Sequence, residues 1–323
     1  VHSGDSSCAI PPPTLSDEEL DEVEEITRRI AHRLGVRGLL NLQLAVKDER
    51  IWVLEANPRA SRTVPFVSKV IGTSLAKVAT LVLAGRTIAQ LRADGLLPSD
   101  ARRYRHLPYT SVKAAVLPFG RFPGVDTILG PEMRSTGEVM GIDADPGVAL
   151  AKALMAAGSS VPTSGTVFIS VANRDKRSVV FPATRLADLG FRLLATGGTA
   201  GVLHRAGIPV RRVRKVSEGG TSVVDLIHAG QVDLIVNTPF GRGARSDGYF
   251  IRTAAAAAGV PCITTLPGVF AAVRGIEALR GGTTEPRTIQ EYHAAATAAA
   301  AAAPIQISLE MDETVAVGHA GAS

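Results

Sequence analysis

The hydrophobic pattern changes character near residue 160. Before it, amphipathic segments and short strands follow one another in no fixed order. Residues 16–34 read as an amphipathic helix, and Ser16 with Glu19 three residues on forms a capping box that predicts its start. Asn41–Lys47 and residues 51–57 are apolar strands on either side of a charged turn. A three-residue loop, Asp48-Glu49-Arg50, would pair Lys47 with Ile51 in an antiparallel hairpin and set Gln43 opposite Glu55. Leu75–Leu83 predicts a helix stopped near Gly85, residues 108–142 short strands in Pro- and Gly-rich loops, and residues 146–157 a further helix. Residues 158–165, GSSVPTSG, have the composition of a linker.

Beyond the linker, strands and helices alternate. Strands are expected at 166–171, 191–195, 210–213, 234–236 and 261–264, and helices at 179–189, 199–206, 223–229, 246–258 and 268–279. This order predicts an α/β unit with a doubly wound, mostly parallel sheet. Such sheets bind ligands at the carboxyl ends of their strands. Ile289–Ala302 predicts a last helix, and the polar, acidic stretch 304–323 a mobile tail. The expected organisation is a first domain at 1–158, a second at 159–303 and the tail.

The first candidate chemistry lies at the end of the hairpin, where Glu55, Asn57, Arg59 and Arg62 follow an apolar strand. Polar groups there are costly to bury without partners. Residues two apart share a strand face, which places Glu55 with Asn57 and puts Trp52, Leu54 and Ala56 on the other side. With Gln43 opposite Glu55, a carboxylate and two amide oxygens converge. Oxygen-only donors suit Mg²⁺ or Mn²⁺, and the two guanidinium forks suit phosphoryl oxygens. A lone strand glutamate is more often half of a structural ion pair; the five-residue combination favours the metal–phosphate site.

The second candidate is Thr196-Gly197-Gly198-Thr199, between a strand end and a helix start. Glycines let the backbone approach a ligand, and helix-start N–H groups favour a phosphate. The motif alone equally describes an ordinary strand–helix turn. Lys176, Lys215 and Asn237-Thr238, near other strand ends, strengthen the phosphate reading. Neither a Walker A sequence nor a GxGxxG fingerprint occurs.

Bulk properties narrow the class. The 323 residues allow about two domains. No apolar run reaches the ~18 residues of a membrane span, so no membrane partner is expected. The charge of +5 is modest and aromatics are 4%, which offers no basic stripe for nucleic acid. Two cysteines, Cys8 and Cys262, make no disulfide framework and suit a reducing, cytoplasmic setting.

Five phrases strongly resemble the carbamoyl phosphate synthetase large subunit: VHSGDS at 1–6, RGLLNLQLAVK at 37–47, LEANPRASRTVPFVSK at 54–69, LPFGRFPGVD at 117–126 and LGPEMRSTGEVMG at 129–141. The likeness runs to about Arg280. It implies the end of the second ATP-grasp half followed by a methylglyoxal-synthase-like regulatory domain, as a fragment of a longer ligase. The implied reaction is ATP-dependent phosphorylation of carbamate to carbamoyl phosphate, for arginine and pyrimidine biosynthesis. The resemblance implies Gln43, Glu55 and Asn57 as ligands of Mg²⁺ or Mn²⁺, with Gln43 and Glu55 also at the nucleotide. Arg59 and Arg62 would be catalytic, and Val1, His2 and Ser3 would lie beside ATP. It further implies Lys176, Thr196, Gly198, Thr199, Lys215 and Asn237 around a nucleotide monophosphate effector. A glutaminase small subunit and an oligomeric state are implied for the parent.

Three positions depart from the family. Pro239 stands where a threonine is common, removing a hydroxyl and a backbone donor. At the ornithine site of some members, Asp5 and Thr264 match, but Ala114 and Cys262 replace a glutamate and a tyrosine. Ornithine is therefore not expected to activate through that site. A methylglyoxal synthase activity would need a catalytic carboxylate, for which Asp225 is the nearest candidate.

Overall fold

The computed structural model describes residues 3–98, 102–122, 125–238, 247–282 and 286–302. Val1, His2, Pro239 and the stretch 304–323 lie outside the described residues.

The first part comprises β1 (Cys8–Ile10), α1 (Asp17–Arg33), β2 (Asn41–Lys47), β3 (Arg50–Asn57), α2 (Thr63–Ile71), α3 (Leu75–Leu83), α4 (Ile88–Ala93), β4 (Thr110–Val116), β5 (Gly137–Asp143) and α5 (Pro146–Ala156). Helix α1 starts on its capping box. Glu19 N–H donates to Ser16 Oγ at 3.2 Å, and Ser16 N–H to Glu19 Oε2 at 2.8 Å. Arg105 ties the helix to the following chain through Asp21 and Glu24, 2.7 Å each.

Strands β2 and β3 form a two-stranded ribbon of their own. The expected three-residue loop is corrected: Lys47 pairs with Arg50, and the turn is Asp48-Glu49. Both turn residues take positive φ, 51° and 57°, the backbone of a type I′ turn. Its twist matches that of the flanking strands, which offsets the cost of placing two side chains in this region. The register then shifts between Gln43 and Leu44, and Leu54 is passed over as a bulge. Gln43 therefore still pairs with Glu55, and Asn41 with Asn57. The bulge also breaks the alternation of faces, and Trp52, Val53 and Leu54 are all exposed.

Strands β1, β4 and β5 form an antiparallel sheet in that order. One face carries Ile142 of β5 and Tyr109, packed against Phe66 and Val70 of α2 and against Tyr292. Tyr292 lies on the last helix, α11 below, so that helix packs on the first part of the chain although it follows the second. Its phenol donates to Ile142 O at 2.9 Å, while Tyr109 donates to Val70 O at 2.8 Å. The other face receives Ala149 and Ala153 of α5.

The second part comprises β6 (Thr166–Ser170), α6 (Val180–Asp188), β7 (Arg192–Thr196), α7 (Gly197–Arg205), β8 (Arg211–Val213), α8 (Val223–His228), β9 (Leu234–Asn237), α9 (Asp247–Ala258), β10 (Cys262–Ile263), α10 (Leu266–Gly281) and α11 (Ile289–Ala302). Its five strands are all parallel, in the order β10-β9-β6-β7-β8. Val167, Phe168 and Ile169 of the central β6 are fully buried, as a strand covered on both faces requires. One apolar cluster lies under α6, α7 and α10, the other under α8 and α9. The chain winds outward from β6 to β8 and then returns to β9. The winding direction reverses between β6 and β9, the place where sheets of this kind bind ligands at the carboxyl edge.

The two parts meet along a seam of small residues. A Cβ on Gly147 of α5 would fall 2.7 Å from Arg274 O of α10, and one on Gly275 would fall 3.2 Å from Gly147 O. Backbone contact of this kind excludes any larger side chain there.

Candidate functional sites

The hairpin places its polar residues as a group. Asn57 Nδ2 donates to Glu55 Oε1 at 2.6 Å, so the two side chains share a face. Gln43 is the cross-strand partner of Glu55, at a typical Cβ separation of about 5 Å. Asn41, opposite Asn57, donates to Ser61 Oγ at 3.3 Å, and Ser61 donates to Thr63 Oγ1 at 3.3 Å. These bonds hold the strand end against the start of α2. Arg62 occupies the N-cap of that helix without a side-chain cap bond, and Arg59 Nη1 donates to Ala60 O at 3.0 Å. Both guanidiniums are exposed at the rim. Ser3 belongs to a 3₁₀ turn, Ser3–Asp5, packed on β4. Val1 and His2 are outside the described residues.

The donor chemistry suits a hard cation. Among the described residues no cluster of three or more His, Cys, Asp or Glu could form an all-protein cage. One carboxylate with amide oxygens instead fits an ion that keeps water and takes substrate phosphates as its remaining ligands. Because the Asn57 nitrogen is given to Glu55, Asn57 Oδ1 is the atom left to ligate.

A second polar cluster sits at the carboxyl edge of the parallel sheet, at the reversal between β6 and β9. In register, Ser170 of β6 lies beside Asn237 of β9. Ser170 Oγ and Thr196 Oγ1 are 3.2 Å apart, and Asn237 Nδ2 donates to Ser170 O at 3.2 Å. Val171 N–H donates to Thr199 Oγ1 at 3.4 Å, and Ala172 N–H to Thr238 Oγ1 at 2.8 Å. Thr196, Thr199, Asn237 and Thr238 are all buried. Thr196 is the N-cap of α7 but makes no side-chain cap bond, which leaves the helix-start N–H groups for another acceptor. Lys176 closes over this start: a Cβ on Gly198 would fall 2.7 Å from its Nζ. Lys215, exposed beyond β8, is farther round the rim.

The structure thus brings Lys176, Thr196, Gly198, Thr199 and Asn237 to one edge, and adds Ser170, Arg252, which donates to Asn237 Oδ1, and Asp126, which pairs with Arg252; sequence reasoning missed these three. Arg252 was legible as a lone cation among the apolar residues of α9; nothing in the sequence pointed to Asp126 as its partner.

Asp225 has a different job. Its Oδ2 accepts from Ser222 N–H at 2.7 Å and Ser222 Oγ at 2.9 Å, completing the capping box of α8. These bonds hold its carboxyl below the usual range. Asp5 is buried and accepts from Arg134 N–H and Ser135 N–H, 2.8 Å each.

Two family models match the chain: a carbamoyl-phosphate synthase L chain ATP binding domain over residues 1–91, and an MGS-like domain over residues 178–264. The carbamoyl phosphate synthase large chain of Beutenbergia cavernae is 56% identical over 309 residues, 92% of this chain and 28% of the relative. That of Mycobacterium tuberculosis strain H37Rv is 56% identical over 308 residues, 91% of this chain and 28% of the relative. The chain therefore spans 28% of the length of the curated relatives it matches. A crystal structure of methylglyoxal synthase from Elizabethkingia anophelis, 19% identical, covers 35% of this chain and 79% of its own with a TM-score of 0.30.

Proposed function

The chain belongs to the carbamoyl phosphate synthase large-chain family, and on that premise we propose that its hairpin is the metal–phosphate corner of the site that phosphorylates carbamate. The observation that carries this is the convergence of Gln43, Glu55 and Asn57 on one face of β2–β3, next to Arg59 and Arg62. Phosphoryl transfer needs alignment and charge neutralisation more than covalent chemistry. Mg²⁺ or Mn²⁺, when bound, neutralises the oxygens of the ATP phosphates. Gln43, Glu55 and Asn57 would hold the ion. Arg59 and Arg62 would orient carbamate and the transferring group through their planar forks. Val1, His2 and Ser3 would contribute beside the nucleotide. In the full-length protein Glu55→Ala is expected to abolish carbamoyl phosphate formation; retained activity would remove Glu55 from the site. The parent would be the glutamine-hydrolysing enzyme of arginine and pyrimidine biosynthesis, with ammonia delivered by a glutaminase small subunit.

The second part is proposed to bind a nucleotide monophosphate effector. Lys176, Gly198, Thr199 and the start of α7 would hold the phosphate, and Thr196, Asn237 and Lys215 the remaining polar groups. For the chain by itself the reading is effector binding without ATP turnover. Calorimetric titration with UMP and IMP tests it: binding lost in Lys176→Ala is expected. The competing methylglyoxal synthase reading is disfavoured by Asp225, whose carboxylate is engaged as a helix cap.

A further inference from the structure

Arg252 on α9 is 2% exposed, and each of its three guanidinium nitrogens donates a hydrogen bond. Its Nε and Nη2 donate to Asp126 Oδ1 and Oδ2, both at 2.7 Å, a fork meeting a fork. Its Nη1 donates to Asn237 Oδ1 at 2.8 Å. A guanidinium accepts nothing, so only the oxygen of the Asn237 amide can face it. The amide nitrogen is thereby turned the other way, towards Ser170 O. Gly248 keeps this arrangement open: a Cβ there would fall 2.6 Å from Arg252 Nη1 and 3.2 Å from Asn237 Oδ1. The orientation of Asn237 is therefore set from outside its own sheet, by a carboxylate in the first part of the chain. The segment that carries Asp126 is pinned at its far end as well. Arg134 N–H and Ser135 N–H donate to Asp5, and Ser135 Oγ donates to Gly4 O at 3.1 Å.

We propose that Asp126 and Arg252 are positioning residues of the effector site, which lock Asn237 so that its second amide N–H is offered to an acceptor on the nucleotide. This deepens the effector reading above and rests on it. The lock makes the Asn237 contact depend on how residues 126–135 seat against Asp5. By linkage, a nucleotide that uses the contact stiffens that segment in return.

The test uses the full chain with Asp126→Asn, Arg252→Met, and the apolar pair Asp126→Leu/Arg252→Met. Asparagine keeps the shape of Asp126 but offers one acceptor where the fork needs two. Without ligand, NMR exchange of the Asn237 side-chain amide is expected to be slow in the wild type and about tenfold faster in Asp126→Asn. Titration with UMP and with IMP is expected to show about a tenfold loss of affinity. Inorganic phosphate, held by Lys176 and the start of α7, should change by less than about twofold. The apolar pair should recover the melting temperature but not the slow amide exchange, which separates positioning from bulk stability. With nucleotide added to the wild type, exchange at the Arg134 and Ser135 amides should slow. Unchanged Asn237 exchange in Asp126→Asn, or equal losses for nucleotide and inorganic phosphate, would overturn the proposal. If the wild type binds neither nucleotide, the effector reading falls, and the ligand-free exchange at Asn237 alone decides whether Asp126 and Arg252 position it.

Discussion

Gln43 and Glu55 stand opposite each other because a bulge at Leu54 supplies the one residue of register that the two-residue turn at Asp48-Glu49 takes away. The bulge and the turn together fix the pairing. Deleting Leu54 would remove the bulge but keep Gln43 opposite Glu55 and Asn41 opposite Asn57, because those pairs already lie beyond it. In the full-length protein this deletion is expected to leave carbamoyl phosphate formation within about tenfold of the wild type, measured in a steady-state assay. Deleting Glu49 from the exposed turn while the bulge stays moves the register by one residue and takes Gln43 off Glu55, and is expected to cut formation by about a hundredfold or more.

Gly198 separates stability from binding. Alanine there would place its Cβ 2.7 Å from Lys176 Nζ, so the ammonium must move off the start of α7. The helix itself should gain, because alanine exceeds glycine in helices by about 0.5–1 kcal/mol. Gly198→Ala is expected to keep or raise the melting temperature while lowering nucleotide monophosphate affinity about tenfold. Differential scanning calorimetry and isothermal titration on the same variant check both signs.

Cys262 makes stability fall at alkaline pH. Burial pushes its thiol up to about 12, against an ordinary value of 9.0, with Arg252 nearby opposing part of the rise. The unfolded chain loses this proton first, so the contribution is whole below about pH 9 and declines as pH rises towards 12. The slope is at most about 1.4 kcal/mol per pH unit, and less in practice because β10 is an edge strand that leaves the residue partly exposed. Urea unfolding at about pH 8 and about pH 10.5 should show a steeper loss in the wild type than in Cys262→Ala.

The sequence carried the alternation of the second part well, since each buried parallel strand is a short apolar run such as Val167-Phe168-Ile169. The capping box at Ser16 and Glu19 also announced α1 correctly. The turn was misjudged because Asp48-Glu49 lacks the glycine that usually marks a type I′ turn. The bulge had no signal at all, since any residue can be passed over. The two errors cancelled, which is why the pairing of Gln43 with Glu55 was right for an incomplete reason. Helix α11 was placed by its composition, but its alanines say nothing about where it docks. Tyr292 decides that, through Ile142 and the edge of Tyr109. The strand-end cluster was legible wherever a residue sat beside a strand terminus. Asp126 escaped because its contact with Arg252 joins two parts of the chain that no local pattern connects.

The measurement that bears most directly on the account runs the phosphoryl transfer backwards. Full-length protein is given carbamoyl phosphate and MgADP, and the ATP formed is counted for the wild type and for Glu55→Ala. The account predicts steady ATP formation by the wild type and a loss of about a hundredfold or more in the variant. Equal rates in the two would show that Glu55, and with it the oxygen cluster on the hairpin, takes no part in the transfer.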